Sequence, residues 1–125
     1  MKKKGSRSDF HEERRRELRE AYLNQDSCMM TDEVIEKVVN TPATRFWVDP
    51  DNARDVISRV MRNPSLLGKM RAHKGRMYRE LMKRYQRERS KNPSEAKIAS
   101  ISKVIFAGAP EFYISTSHAR KILNN

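Results

Sequence analysis

The amino-acid sequence predicts a mainly α-helical protein with one short two-stranded antiparallel β ribbon. Three observations lead to this prediction. Apolar residues recur at helical spacing in several segments, a helix–strand–helix pattern occurs twice, and a strongly basic amphipathic helix lies between the two copies. We therefore expect a duplicated helix–strand–helix unit arranged around a central basic helix.

The composition predicts a small hydrophobic core and a surface that attracts negatively charged partners. The chain has 125 residues, of which 37% are hydrophobic, so we expect a single domain over residues 1–125 with a small core. Its 27 Lys and Arg against 16 Asp and Glu leave a formal net charge of +11. Most of this excess lies in residues 62–91, which carry eleven bases and only two acids. Such asymmetry is typical of a surface that binds a polyanion, although a charge run can also be a solvated face that only favours solubility.

The chain begins with a basic segment, MKKKGSRS, which we expect to be a flexible arm over residues 1–8. A first helix is predicted over about residues 9–24, where Phe10 and Leu18 belong to a narrow apolar stripe. The charges of this helix alternate in sign at short range. We expect them to pair with one another on a solvated face.

An internal repeat is visible when the chain is aligned with itself. Residues 35–57 align with residues 101–123, and seven of the 23 aligned positions are identical. Five more pairs keep their apolar or aromatic character. Because the matching positions are mostly apolar, the repeat indicates a shared packing pattern.

The first copy of the repeat reads as a helix, a breaker, a short strand and a second helix. The first helix is predicted to end at Pro42, because proline lacks an N–H donor and restricts the residue before it. Residues 45–48, RFWV, have the aromatic and β-branched character of a strand. Asp49 followed by Pro50 then predicts the start of a helix over about residues 50–61.

The clearest amphipathic helix spans residues 72–90, with an apolar face that includes Tyr78, Leu81 and Tyr85. Four bases at spacings of three, four and four residues lie on the opposite face, and we name them the basic row: Arg76, Arg79, Lys83 and Arg87. The row is about 16 Å long, and like charges at these spacings repel by roughly 0.2–0.5 kcal/mol per pair. We expect the row to contact phosphates. The auxiliary contacts are expected from Lys69, Arg71 and Lys74, while Arg84 and Arg89 flank the row.

The second copy of the repeat follows a linker predicted at residues 88–94. Its parts are a helix near residues 94–106, a strand at 112–114, and a helix at 116–123. Two short strands are not stable alone, so we expect the strands of the two copies to pair as an antiparallel ribbon. One face of this ribbon would carry Phe46, Val48, Phe112 and Ile114. The other face would carry Tyr113 and Trp47, and we expect Trp47 to be covered.

Several classes of protein are not expected. No run of apolar residues is long enough to span a bilayer, and the charged start does not resemble a secretory signal peptide. No glycine-rich nucleotide-binding motif or hydrolase motif occurs, and the three histidines with the single cysteine, Cys28, have no zinc-site spacing. A lone cysteine fits a reducing compartment, so we expect a cytoplasmic protein. We expect no catalytic residues, no metal and no cofactor, hence no enzyme.

The charge distribution therefore predicts a small nucleic-acid-binding protein that contacts DNA or RNA phosphates through the central basic helix, largely without sequence preference. An alternative from another class is a non-enzymatic interaction or assembly module. In that case the aromatic ribbon, or the basic helix with an acidic protein partner, would form the docking surface. No membrane contact is expected, and the sequence leaves the oligomeric state open.

Overall fold

A computed structural model of the chain describes residues 6–25 and 29–124, with side chains described from Phe10 onward. The described residues form seven helices and no strand. In chain order these are α1 (Ser6–Leu23), α2 (Asp32–Val39), α3 (Pro50–Arg62), α4 (Leu66–Lys69), α5 (Ala72–Lys91), α6 (Lys97–Ile105) and α7 (Thr116–Leu123). The predicted fold class, mainly α-helical, is confirmed.

Three helices begin where the local sequence signals place them. Thr31 precedes α2, Asp49 precedes α3 and Ser115 precedes α7, and each side chain accepts a hydrogen bond from the backbone N–H three residues further on. These bonds satisfy N–H groups that have no partner inside the helix. The predicted starts at residues 50 and 116 are therefore confirmed.

Two predicted irregular segments are shorter than expected. Helix α1 begins at Ser6, so residues 6–8 of the predicted flexible arm are helical, and residues 1–5 lie outside the described part of the chain. Helix α5 continues to Lys91, so the first half of the predicted linker is helical as well. The two helical stretches, SRS and ERSK, contain neither proline nor glycine, so neither stretch contains a strong helix breaker. Cys28 also lies outside the described residues.

The chain divides into two compact units, Met1–Ala43 with Pro110–Asn125, and Thr44–Ala109. In the first unit α1, α2 and α7 pack on one another around Leu18, Ile35 and Phe112, which are almost fully buried. The prediction of a single domain stays a prediction.

The second unit is built on two helix contacts made by α6. Helix α6 packs against both α3 and α5, and the short α4 packs against the beginning of α5. The core of this unit contains Phe46, Val60, Tyr78 and Leu81, none of which is more than 1% exposed. Because α5 contributes two of these four side chains, its basic row is carried on a firmly anchored helix.

The predicted β ribbon is not formed by the described residues. In the second unit the backbone N–H of Phe46 donates to the carbonyl of Ile105 at 2.9 Å, and in the first unit Phe112 donates to Val39 at 2.9 Å. Both acceptors are the last residues of helices, α6 and α2, whose carbonyls lack intrahelical partners. Tyr113 also has a left-handed φ of 57°, which interrupts extended backbone. The segments therefore terminate helices instead of forming a ladder.

The side chains expected to be buried on the ribbon are nevertheless core residues. The four residues assigned to its inner face are at most 7% exposed: Phe46, Val48, Phe112 and Ile114. Trp47 is 7% exposed, which confirms that it is covered. The apolar pattern thus predicted burial correctly, although it misjudged the backbone conformation.

Candidate nucleic-acid interface

Helix α5 holds the basic row because its opposite face is anchored in the core of the second unit. Met77, Tyr78, Leu81 and Tyr85 are buried along one side of the helix. Burial raises the pKa of Tyr78 to about 12, so its hydroxyl stays neutral and contributes no charge to the core. With 3.6 residues per turn, the face opposite these side chains must point to solvent.

All four side chains of the basic row are exposed, as predicted from the helical spacing. Two of them have polar neighbours: Arg76 Nη2 lies 2.9 Å from His73 Nδ1, and Lys83 Nζ lies 3.8 Å from a carboxylate oxygen of Glu80. Within the described part of the chain, Arg79 and Arg87 form no ion pair. These two guanidinium groups are therefore the least compensated charges of the row.

The auxiliary bases extend the row less than expected. Lys69 ends α4, Arg71 precedes the first turn of α5, and Lys74 lies in that turn, and all three are exposed. At 100° per residue, however, Lys74 projects about 175° away from the average direction of the basic row. One phosphate backbone lying along the row therefore cannot also reach Lys74. Lys69 and Arg71 remain at the N-terminal end of α5.

A polar groove lies beside the C-terminal half of the row, between α5 and α6. Its volume is about 520 Å³, and it is open to solvent. The charged residues that line it are five bases and two acids: Lys83, Arg84, Arg87, Lys91, Lys103, Glu80 and Glu88. Two of the bases in this groove, Lys91 and Lys103, were not assigned to the site from the sequence. Lys91 follows Arg87 by four residues and so continues the spacing of the row, but it was assigned to the predicted linker. Lys103 belongs to another helix, so the spacing within α5 carries no signal for it.

The acids of the groove are engaged by neighbouring bases. Lys103 Nζ lies 3.2 Å from Glu88 Oε2 and 2.6 Å from Glu95 Oε2. The hydrogen bond from Lys103 holds the pKa of Glu95 below its ordinary range, and the hydrogen bond to Glu95 raises the pKa of Lys103. Lys103 thus stays charged, but its ammonium group is already paired with the carboxylates of Glu88 and Glu95. Arg87 and Lys91, which form no ion pair among the described residues, are the least compensated bases of the groove.

Arg84 has a structural role in the second unit. Its Nε donates to Glu80 Oε2 at 2.8 Å, and its Nη1 donates to the carbonyl of Gly108 at 2.7 Å. Its guanidinium also lies 5.2 Å from the centre of the Phe46 ring. The side chain is therefore fixed between α5 and the loop after α6.

Arg89 has a similar structural role at the other end of α5. It donates to the carbonyls of Pro93 and Glu95 and lies 3.3 Å from Ser100 Oγ. Ser100 is fully buried, so this contact closes the turn that connects α5 with α6. The two bases that flank the row in the sequence thus stabilise the fold, while the row itself stays exposed.

Neither a cluster of metal ligands nor a membrane-spanning helix is found among the described residues. Among residues 6–25 and 29–124, no three His, Cys, Asp or Glu side chains converge as metal ligands, and none of the described helices is long and apolar enough to cross a membrane.

Comparison of the chain with protein-family models, with curated proteins and with solved structures finds no match in any of the three.

Proposed function

We propose that this chain is a small non-enzymatic, cytoplasmic protein that binds nucleic acid through α5. The observation that carries the proposal is the contrast between two groups of bases on that helix. Arg84 and Arg89 donate to backbone carbonyls inside the second unit, whereas the four members of the basic row are exposed. Arg79 and Arg87 in particular have no carboxylate partner among the described residues.

The energetics of the row favour a polyanionic partner. Like charges three and four residues apart on a helix cost roughly 0.2–0.5 kcal/mol per pair, and Glu80 and Glu88 offset only part of this cost. A phosphate backbone relieves the repulsion along the whole row and forms charge-assisted hydrogen bonds with arginine. Such contacts position nucleic acid without reading bases, so we propose binding that is largely independent of sequence, to DNA or RNA.

The alternative, an assembly module, has less support. One form of this alternative requires an exposed aromatic ribbon. Trp47, however, is only 7% exposed, and the ribbon is not formed by the described residues. An acidic protein that docks on the basic row is the form of this alternative that the charges favour. Affinity for oligonucleotides at low salt separates it from the nucleic-acid proposal.

The test is a fluorescence-anisotropy titration of labelled duplex DNA at several salt concentrations. If each base of the row neutralises one phosphate, the logarithm of the affinity should fall against the logarithm of the salt concentration with a slope of about −3.6. Duplexes of unrelated sequence should bind almost equally. Absence of binding at low salt to both duplex and single-stranded oligonucleotides would contradict the proposal and leave the acidic protein partner as the better explanation of the row.

We also propose that the chain contains a duplicated unit. Supporting this, two pairs of helix boundaries follow the same register that aligns residues 35–57 with residues 101–123: the ends of α2 and α6, and the starts of α3 and α7. The hydrogen bonds of Phe46 and Phe112 follow this register too, as do the caps of α3 and α7. A longer helix precedes each copy and packs against its first helix, α1 against α2 and α5 against α6, so we include these helices in the proposed repeat.

A further inference from the structure

An exposed aromatic ring follows α6 in the second unit. Phe106 is 54% exposed, although phenylalanine is mostly buried in proteins and Phe46 in the same unit is fully buried. The guanidinium carbon of Arg45 lies 4.5 Å from the centre of the Phe106 ring, within the range of a cation–π contact. One face of the ring is therefore backed by a cation, and about half of the residue's surface stays exposed to solvent.

The backing guanidinium is itself fixed by backbone acceptors. Arg45 Nε donates to the carbonyl of Phe46 at 3.0 Å, and Arg45 Nη2 donates to the carbonyl of Val48 at 2.8 Å. The same guanidinium lies 5.4 Å from the centre of the buried Trp47 ring. Because these contacts restrict Arg45, they also restrict the ring that stacks on it. Phe106 is thus held in place before any ligand binds, which lowers the entropic cost of binding.

Phe106 is adjacent in the sequence to a residue that lines the polar groove between α5 and α6. Phe106 follows Lys103 by three positions at the end of α6, and residues at that spacing are neighbours on a helix surface. The next residue, Ala107, lines the groove together with Lys103. Across the groove, α5 presents Arg87 and Lys91, the two least compensated bases lining it. An exposed aromatic ring at the end of α6 and the cations of the groove on α5 therefore belong to the same unit.

We propose that the ligand of this surface is single-stranded nucleic acid, with one base stacked on Phe106 and the adjoining phosphates in the groove beside Arg87 and Lys91. This inference rests on the proposed function and narrows its substrate class. In a duplex the faces of the bases are covered by their neighbours, whereas an unpaired base can turn outward and stack on an aromatic side chain. Stacking tolerates any base because every base has a π-face, so the proposed site has no sequence preference.

The test compares a labelled single-stranded DNA of mixed sequence with the duplex formed by annealing its complement. F106A should weaken binding of the single strand by roughly 5- to 150-fold, the range for loss of one base–aromatic stack, and should leave duplex affinity within about twofold. F106W should retain single-strand affinity, because indole provides a larger stacking face. F106L, which keeps an apolar side chain against Arg45 but removes the ring, should behave like F106A.

The chain offers a matched control in Met61. This side chain is also 54% exposed in the second unit but lines a different groove, so M61A removes similar apolar surface away from the site. M61A should leave both affinities unchanged, and thermal unfolding of every variant should match that of the wild type. Equal losses for single strand and duplex in F106A, or no loss for the single strand, would overturn the inference while the proposed function stands. If wild-type protein binds neither oligonucleotide at low salt, the proposed function itself fails.

Discussion

The backbone N–H of Phe46 donates a hydrogen bond of 2.9 Å to the carbonyl of Ile105, the last residue of α6. The bond joins two residues that are distant in the sequence and satisfies a carbonyl that has no partner within its own helix. The corresponding bond in the first unit runs from Phe112 to Val39 and has the same length. In both units, a short irregular segment ends a helix and places a phenylalanine side chain in the core.

Truncation of either phenylalanine should destabilise the protein to a similar degree. F46A and F112A should each lower the free energy of unfolding by roughly 3–5 kcal/mol, because each removes a buried ring and leaves a cavity. Chemical denaturation followed by circular dichroism measures the change. F106A is the matched control, since its exposed ring should contribute much less to stability. If F46A or F112A leaves unfolding unchanged, the two positions are not equivalent core sites and the duplication loses its support.

Removal of two charges from the middle of the basic row should change the salt dependence of binding. In the R79Q/K83Q variant, the slope for duplex DNA should become less steep by about two, because two phosphate contacts are lost. Stability should hold or increase slightly as repulsion along α5 is relieved. The measurement is the salt titration described for the wild type.

The control for that variant is R59Q/R62Q, which removes two exposed bases from the last turn of α3 in the same unit. This control should alter the slope much less than R79Q/K83Q does. Equal changes in the two variants would indicate that net charge, and not the basic row, governs binding.

Arg89 should be needed for stability and not for binding. R89Q should lower the free energy of unfolding by about 1–3 kcal/mol, because it removes charge-assisted bonds to the turn after α5 and to the buried Ser100 hydroxyl. Thermal or chemical unfolding measures this loss. K91Q, two positions further on and exposed, should leave stability nearly unchanged but weaken binding of single-stranded DNA. The opposite pattern would contradict the roles assigned to the two bases.

The first unit should lose stability on mild acidification. Partial burial, together with the charges of Arg14, His11 and Lys121, lowers the pKa of His118 below its ordinary value. The unfolded chain therefore binds a proton at His118 at a higher pH than the folded chain does. The contribution of His118 to the free energy of unfolding is fully present above about pH 6.5, the ordinary histidine pKa. It is lost as the pH falls through the lower pKa that His118 has in the folded protein.

The pH dependence is measured as the melting temperature between neutral and weakly acidic conditions. H118Q should make the melting temperature less sensitive to pH in this range. H73Q provides a comparison, because His73 lies in the second unit, outside the group of charges around His118. If H118Q and the wild type show the same decline, His118 is not the group that titrates.

The sequence by itself determined the longer helices and the two faces of α5, whereas the four-residue helix α4 was not predicted. Helix starts depend on residues within one turn, so Asp49 with Pro50 was sufficient to locate α3. The amphipathic spacing of α5 likewise predicted both the burial of Tyr78 and the exposure of the basic row. These features depend on the helical period alone, which requires no knowledge of distant residues.

Only the tertiary structure decided which bases are engaged and where the extended segments bind. Arg84 donates to Gly108, 24 positions away, and Lys103 pairs with Glu88, 15 positions away. Such partners are brought together by helix packing, so the spacing within one segment cannot distinguish a structural arginine from an available one. The ribbon prediction failed for the same reason. The N–H groups of Phe46 and Phe112 had better acceptors at distant helix ends than a strand of three or four residues could provide.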